Sequence, residues 1–417
     1  MSPPSLSLPT PPLFTTAASA LAIAVALAGA AGCGGAQGGP AGASAGASAC
    51  EQGDVRACSA ECEAGGARGC LRLGMAYSLG EGAPQDPARG AAMYRRACDA
   101  GDADGCTLLG VSTFQGRTGA ASPAQAMAIL ERACGAGSGW GCAVASDLHE
   151  RGDGVPQNPA RALALASVGC EKHRNGWACG RLGRALFLGE QVGRDPKRAA
   201  PLLERGCGSG DLPSCAMLAH LVSEGEGLPR DAELAEALYV RACRGGFGPS
   251  CVALGMRYEH GEGLARDAAR AAQAFERACV FGDARGCASL AMQYGMGDGV
   301  RRDEGHAFRL VRDACAGGHP PACSAAAWCL LEGIGVSPDP ATAAKLARGS
   351  CEQGVAAGCR LLGDMHRDGK GAARDPERAA ALYKQACAGG DEEACALAQA
   401  RASASPARAT TGKEKRR

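Results

Sequence analysis

Apolar residues recur at helical spacing in short runs, and glycine-rich turns separate the runs. In the stretch 66–106, Leu73, Gly74 and Tyr77 mark one face, as Leu254, Gly255 and Tyr258 do further on. The middle place is Gly or Ala, where another helix can approach closely. This pattern predicts a first helix, helix A, in each unit. A Gly-x-Gly turn stops it (Gly80 and Gly82, Gly261 and Gly263, Gly297 and Gly299), in a conformation that often needs positive φ. A short polar residue then returns at Asp86, Ser122, Asn158, Asp195, Asp231, Asp267, Asp303, Asp339 and Asp375, and proline follows six of the nine. These are N-caps, whose side chains accept from the orphan amides of the next helix. A second helix, helix B, is therefore predicted from each cap to a cysteine twelve residues on.

The pair of helices is a repeating unit. One cysteine of each unit stands at 70, 106, 142, 179, 215, 251, 287, 323, 359 and 395, a step of 36 residues with a single step of 37. The fold class predicted is all-α, an α/α solenoid of about nine helix-turn-helix repeats in one domain over residues 50–402. Stacking rather than globular packing accounts for the length of the chain, and a core of mostly Leu and Ala fits an aromatic content of only 4%. The stretch 50–62 lacks room for a helix pair and reads as a truncated cap. Past Cys395 there is space for one helix, and residues 403–417 are expected to be a disordered, solvated basic tail ending in Lys413, Lys415, Arg416 and Arg417.

Cysteine usage adds a covalent element. Of the 24 cysteines, Cys33 and Cys329 stand apart and the other 22 fall into eleven short pairs. These are Cys50 with Cys58, Cys62 with Cys70, Cys98 with Cys106, Cys134 with Cys142, Cys170 with Cys179, Cys207 with Cys215, Cys243 with Cys251, Cys279 with Cys287, Cys315 with Cys323, Cys351 with Cys359, and Cys387 with Cys395. Joining the two ends of one unit instead, as Cys70 with Cys98, leaves Cys50, Cys58, Cys62 and Cys395 without partners in register. Zinc is the other use of such cysteines, but its sites favour closer spacing with Cys or His at fixed distances, and the seven histidines hold no common register. The short pairing places a disulfide between successive repeats, each contributing about 2–3 kcal/mol in the chain-entropy model. Such bridges need an oxidising compartment.

The beginning of the chain points the same way. Residues 1–32 carry no Lys, Arg, Asp or Glu, and Leu13 to Ala31 is an Ala- and Leu-rich run, the hydrophobic part of a signal peptide. Ala30-Ala31-Gly32-Cys33 resembles a bacterial lipobox, which implies that Cys33 is acylated after cleavage; an ordinary signal peptide cut nearby would leave Cys33 as a spare thiol. Residues 33–49 read as a flexible Gly/Ala/Ser linker. The expected localisation is the bacterial cell envelope, periplasm or outer membrane, with the lipid anchor as the contact with membrane.

The Leu-Gly then Tyr of helix A, the Gly-x-Gly-Val turn (Gly152 to Val155, Gly297 to Val300, Gly333 to Val336), the Asp cap and the Ala-x-x-x-Tyr of helix B resemble the Sel-one-like repeat, a relative of the tetratricopeptide repeat. With cysteines eight apart, the chain is similar in particular to the Helicobacter cysteine-rich protein family. The resemblance covers about residues 50–400. It implies a repeat scaffold whose concave surface, lined mainly by helix A, binds a protein or peptide partner. It also implies an alternative: cysteine-rich family members are described as β-lactam binders and weak β-lactamases, which would make this chain a hydrolase.

The residues themselves offer little chemistry. No Ser-x-x-Lys, Gly-x-Ser-x-Gly, His-Glu-x-x-His or phosphate loop occurs, so no catalytic residue, cofactor or metal site is assigned. His149 and His366 stand in the tyrosine place of helix A and read as half-buried core histidines. A net charge of +1 gives no argument for nucleic acid, and the protein is expected to be a monomer. Cys329, next to Trp328, is left without a partner; burial makes it inert, exposure lets it bridge to another molecule. The expected state is burial, at the edge of helix A beside Leu330 in the tyrosine place. If Cys33 is acylated, Cys33→Ala leaves the protein unprocessed or releases it from the membrane fraction, and normal processing with unchanged partition would refute the anchor.

Overall fold

The computed structural model describes residues 49–404 apart from Leu264, and no strand occurs among them. The leader, Cys33, the linker to residue 48 and the tail beyond residue 404 lie outside the described residues. The chain divides into two compact units, one up to Leu238 and one from Tyr239. The first contains α1 (Val55–Glu63), α2 (Ala67–Leu79), α3 (Pro87–Asp99), α4 (Ala103–Phe114), α5 (Pro123–Gly135), α6 (Gly139–Arg151), α7 (Pro159–Glu171), α8 (Gly176–Leu188), α9 (Pro196–Gly208) and α10 (Leu212–Glu224). The division falls within α11 (Ala232–Arg244). The second holds α12 (Gly248–His260), α13 (Ala268–Val280), α14 (Ala284–Met296), α15 (Glu304–Ala316), α16 (Pro320–Glu332), α17 (Pro340–Glu352), α18 (Ala356–Asp368), α19 (Pro376–Ala388) and α20 (Glu392–Ala404). Even numbers from α2 to α18 are the A helices and odd numbers from α3 to α19 the B helices.

Packing within a repeat follows from the glycine of helix A. A Cβ on Gly74 would lie 2.7 Å from the ring of Tyr94, one on Gly255 2.5 Å from Phe275, and one on Gly363 2.7 Å from Tyr383. The missing side chain is thus the seat of an aromatic ring from helix B. In the repeat where Ala327 replaces glycine, the facing register position is Ala347, and both are fully buried. There a small residue meets a small one, and no ring has to be seated.

Each helix end is held by polar groups. Oδ1 of Asp86, Asn158, Asp195, Asp231, Asp267, Asp303, Asp339 and Asp375 accepts from the amide three residues on, at 2.8–3.1 Å. Several of these caps also donate their own N–H back across the turn, Asp86 to Tyr77 O at 2.7 Å and Asp375 to His366 O at 2.8 Å. The cap therefore starts helix B and closes the turn together. Ser122 has the same backbone position, φ −133°, but makes no side-chain capping bond. Ser138, with φ −76°, does accept, from the Gly141 amide. A side chain one atom shorter than Asp falls short when the backbone is that extended.

Between repeats the chain is tied covalently. Eleven disulfides join the end of one helix to the start of the next across eight or nine residues, with Cα–Cα distances of 4.4–4.7 Å. Arginines two places before the bridge reach back one repeat: Arg96 donates to Cys62 O at 3.0 Å and Arg132 to Cys98 Sγ at 3.1 Å. The bridges place the folded chain in an oxidising, extracytoplasmic setting.

One buried residue breaks the pattern. Gln293 of α14 is fully buried, and neither its Oε1 nor its Nε2 has a hydrogen-bond partner. Leu148, Leu221 and Met365 fill the same register place in other repeats. An unpaired buried amide costs about 1–3 kcal/mol. Gln293→Leu should therefore stabilise the oxidised protein by an amount of that order, read from denaturant unfolding; a destabilised variant would refute it.

Candidate functional site

Helix A presents one stripe that its own helix B does not cover, and the fifth residue after the second cysteine lies at its centre. In the first unit this place is held by Met75, Val111, Asp147, Arg184 and His220; in the second by Met256, Met292, Trp328 and Asp364. Each unit thus has an apolar and a charged part on its A helices.

The second unit carries the apolar part most openly. Met256, Met292 and Trp328 are 46%, 57% and 51% exposed, and Met296, one turn after Met292, is 65% exposed. Beside Trp328, α16 and α18 form a groove of about 460 Å³ with Leu331, Leu361 and Met365 among its lining. Its charges are engaged with one another. Arg360 reaches Asp391 at 3.0 Å and Asp364 at 3.7 Å, Arg367 reaches Asp364 at 2.9 Å, and Lys370 reaches Glu332 at 3.5 Å. The Tyr383 hydroxyl donates to Asp364 Oδ1 at 2.9 Å. Burial pushes the Asp364 carboxyl up, and burial together with that carboxylate pushes the Tyr383 phenol up. A rim so balanced favours an apolar occupant over a strongly charged one.

The charged part of the first unit is a network along a groove of about 820 Å³ lined by α6, α7 and α8. Arg181 spans Asp147 at 2.5 Å and Glu150 at 3.0 Å; Arg151 reaches Asp147 at 2.9 Å and Asp153 at 3.0 Å; Arg184 pairs with Glu150. Burial pulls the Arg184 guanidinium down from its ordinary value and pushes the Asp211 carboxyl up. These groups neutralise one another in place, which gives rigidity rather than a reactive base or nucleophile.

The tyrosine places lie at the seam with helix B. Arg89 sits 4.7 Å over the Tyr77 ring and Arg270 4.4 Å over Tyr258. His149 is part-buried and 3.1 Å from Glu131, whereas His366 is buried and its Nδ1 lies 2.9 Å from Ala373 O. Leu330 is buried and Cys329 beside it is half-buried, although Cys329 holds the register place of the buried Leu148, Leu221, Gln293 and Met365. Burial raises the Cys329 thiol above its ordinary range, which makes it a poor nucleophile.

A second set of caps escaped the sequence reading. Asp54, Asp102, Ser138, Asn175, Asp283 and Asp391 cap α1, four A helices and α20 through their side chains. Their signal is a short polar residue four places before the second cysteine, in Cys-x-x-Gly-Asp for Asp54, Asp102, Asp283 and Asp391. Among the described residues no group of His, Cys, Asp and Glu is arranged to hold a metal ion, and no helix is long and apolar enough to cross a membrane.

The Sel1 repeat family model matches residues 67–102, 103–138, 142–172, 178–211, 212–247, 248–279, 284–319, 320–355 and 356–391. Among solved structures the chain is similar to a Sel1 repeat protein from Oxalobacter formigenes, with TM-score 0.52 and 22% identity over 74% of this chain and 89% of that one. It is also similar to c5321, a protective antigen of uropathogenic Escherichia coli (TM-score 0.48, 23% identity, 87% and 92% covered). Cysteine-rich protein B of Helicobacter pylori is 28% identical over 32% of this chain and 95% of that one, with TM-score 0.27. The likeness to the Oxalobacter structure is one of fold. No curated protein matches the chain.

Removing the hub of the charged network tests its structural role. Asp147 is 6% exposed at its side chain and faces two arginines that are themselves mostly buried. Asp147→Ala leaves both without it and should destabilise the protein by about 3 kcal/mol, whereas Asp298→Ala, at an exposed pair with Arg266, should cost under about 1 kcal/mol. Equal melting temperatures for the two variants would show that the network contributes no more than a surface pair.

Proposed function

The chain belongs to the Sel1 repeat family, and we propose that it is an exported, lipid-anchored scaffold that binds a protein partner along its A helices. The observation that carries this reading is the exposed column Met256, Met292 and Trp328 on consecutive A helices. A soluble surface rarely spends large apolar side chains in register without a partner to cover them. Leu234 and Val280 on B helices are exposed as well, but they share no register place and form no column. Export draws on the charge-free leader and the eleven bridges, and anchoring on Cys33; the repeat array is then held at the end of a short Gly/Ala/Ser tether.

Photo-crosslinking separates the two faces. A photoreactive residue at Met292 or at Leu188, both on A helices, should give discrete adducts in native cells, and one at the exposed Glu276 of α13 should give none. Adducts from Glu276 alone would overturn the reading. Heat-sensitive turnover of a chromogenic cephalosporin by the purified protein would replace it with a hydrolase.

A further inference from the structure

The sulfurs of the inter-repeat bridges do not all face the same surroundings. Arg132 of α5 donates through Nη2 to Cys98 Sγ at 3.1 Å, and Arg205 of α9 points Nη1 at Cys170 Sγ from 3.8 Å. In the repeat between these two, Val168 takes the arginine place, so no guanidinium from that place reaches back to Cys134. The bridges Cys98–Cys106 and Cys134–Cys142 are otherwise alike. Each spans eight residues, with Cα–Cα distances of 4.4 and 4.6 Å, and all four cysteines are buried. The three residues after the first cysteine are exposed in both.

Nothing else in the fold takes up the charge of Arg132. It makes no ion pair among the described residues. The acids around the bridge are engaged elsewhere: Asp102 accepts from the Gly105 amide at 2.6 Å, Asp104 from the Ser138 hydroxyl at 2.8 Å, and Glu131 is held by Arg161 and His149. Arg96 reaches back to Cys62 O, and Arg95 and Asp99 are exposed. A disulfide sulfur is a weak acceptor, whereas a thiolate in the same place carries a full negative charge and accepts about twice as strongly. The arginine contact therefore favours the open bridge by holding Cys98 as the thiolate. It also decides which sulfur departs, since the more stable thiolate leaves faster in exchange.

We propose that Cys98–Cys106 is a thiol–disulfide exchange site, at which a dithiol reductant attacks Cys106 and Cys98 leaves as a thiolate held by Arg132. The reductant's first thiolate forms a mixed disulfide with Cys106 Sγ, and the electron pair of the broken S–S bond goes to Cys98 Sγ. Its second thiolate then displaces Cys106 and closes the reductant's own disulfide. Two electrons pass to the pair, with one proton going to Cys106 and the other to solvent. Such a site works whether or not the A helices hold a partner.

In Cys106→Ser and in Cys142→Ser, Cys98 and Cys134 become free thiols in a chain whose other bridges are intact. Labelling with iodoacetamide across a pH series, read peptide by peptide in a mass spectrometer, follows each thiolate. Cys98 should reach half its maximal rate about one pH unit or more below Cys134; adding Arg132→Met should remove the difference, and Arg132→Lys should keep it. In the parent protein, equilibration in a series of dithiothreitol redox ratios should open Cys98–Cys106 at a ratio about tenfold less reducing than Cys134–Cys142 needs. Coincident labelling profiles, or two bridges that open together, would overturn the proposal. Arg132 is exposed, so oxidised Arg132→Met should keep its melting temperature, and the comparison of the two bridges in the parent decides the matter without any variant.

Discussion

A helix pair of this size cannot bury both of its faces by itself, and the whole architecture answers that deficit. Helix B covers one side of helix A by placing Tyr94, Phe275 or Tyr383 where a glycine has no side chain. The remaining apolar surface is covered by the next repeat, so the stability of each repeat depends on its neighbour. The disulfide rings sit at that junction. They make the interface between units a covalent one, and the arginines that reach back to Cys62 and Cys98 add directed hydrogen bonds at the same place.

Much of this was legible in the residues because it is local. Helix starts, glycine turns and short cysteine pairs depend on side chains within about one turn or one loop of each other, and eight of the nine expected B-helix caps accept the expected bond. Ser122 shows the limit of such reading: the residue type suits a cap, but the bond depends on a backbone angle that the type does not set. The caps of the A helices lie inside the short loops between paired cysteines, where the cysteine spacing dominates the pattern.

The surface was harder to read because it is assembled across repeats. Asp147, Glu150, Arg181 and Arg184 come from two A helices, and nothing in either helix alone announces the network they form. The Met256, Met292 and Trp328 column is visible only when residues 36 apart are placed side by side. Gln293 is misleading in the opposite sense: a polar residue on an A helix suggests a solvated face, yet it is buried without a partner. Cys329 falls between the two expected outcomes, half-buried at a place that other repeats fill with a larger buried side chain.

The order of the bridges has a consequence for how the chain becomes oxidised. The bridges follow one another in chain order, each joining two consecutive bridged cysteines, and no bridge encloses or crosses another. A polypeptide emerging N-terminus first into an oxidising compartment can close each ring as soon as its own short segment is out, before any later cysteine is available to compete. Vectorial emergence alone thus proofreads the connectivity, and low contact order does the rest. A chain released all at once from the reduced, unfolded state has no such sequence of choices, and must find the native arrangement among many by reshuffling.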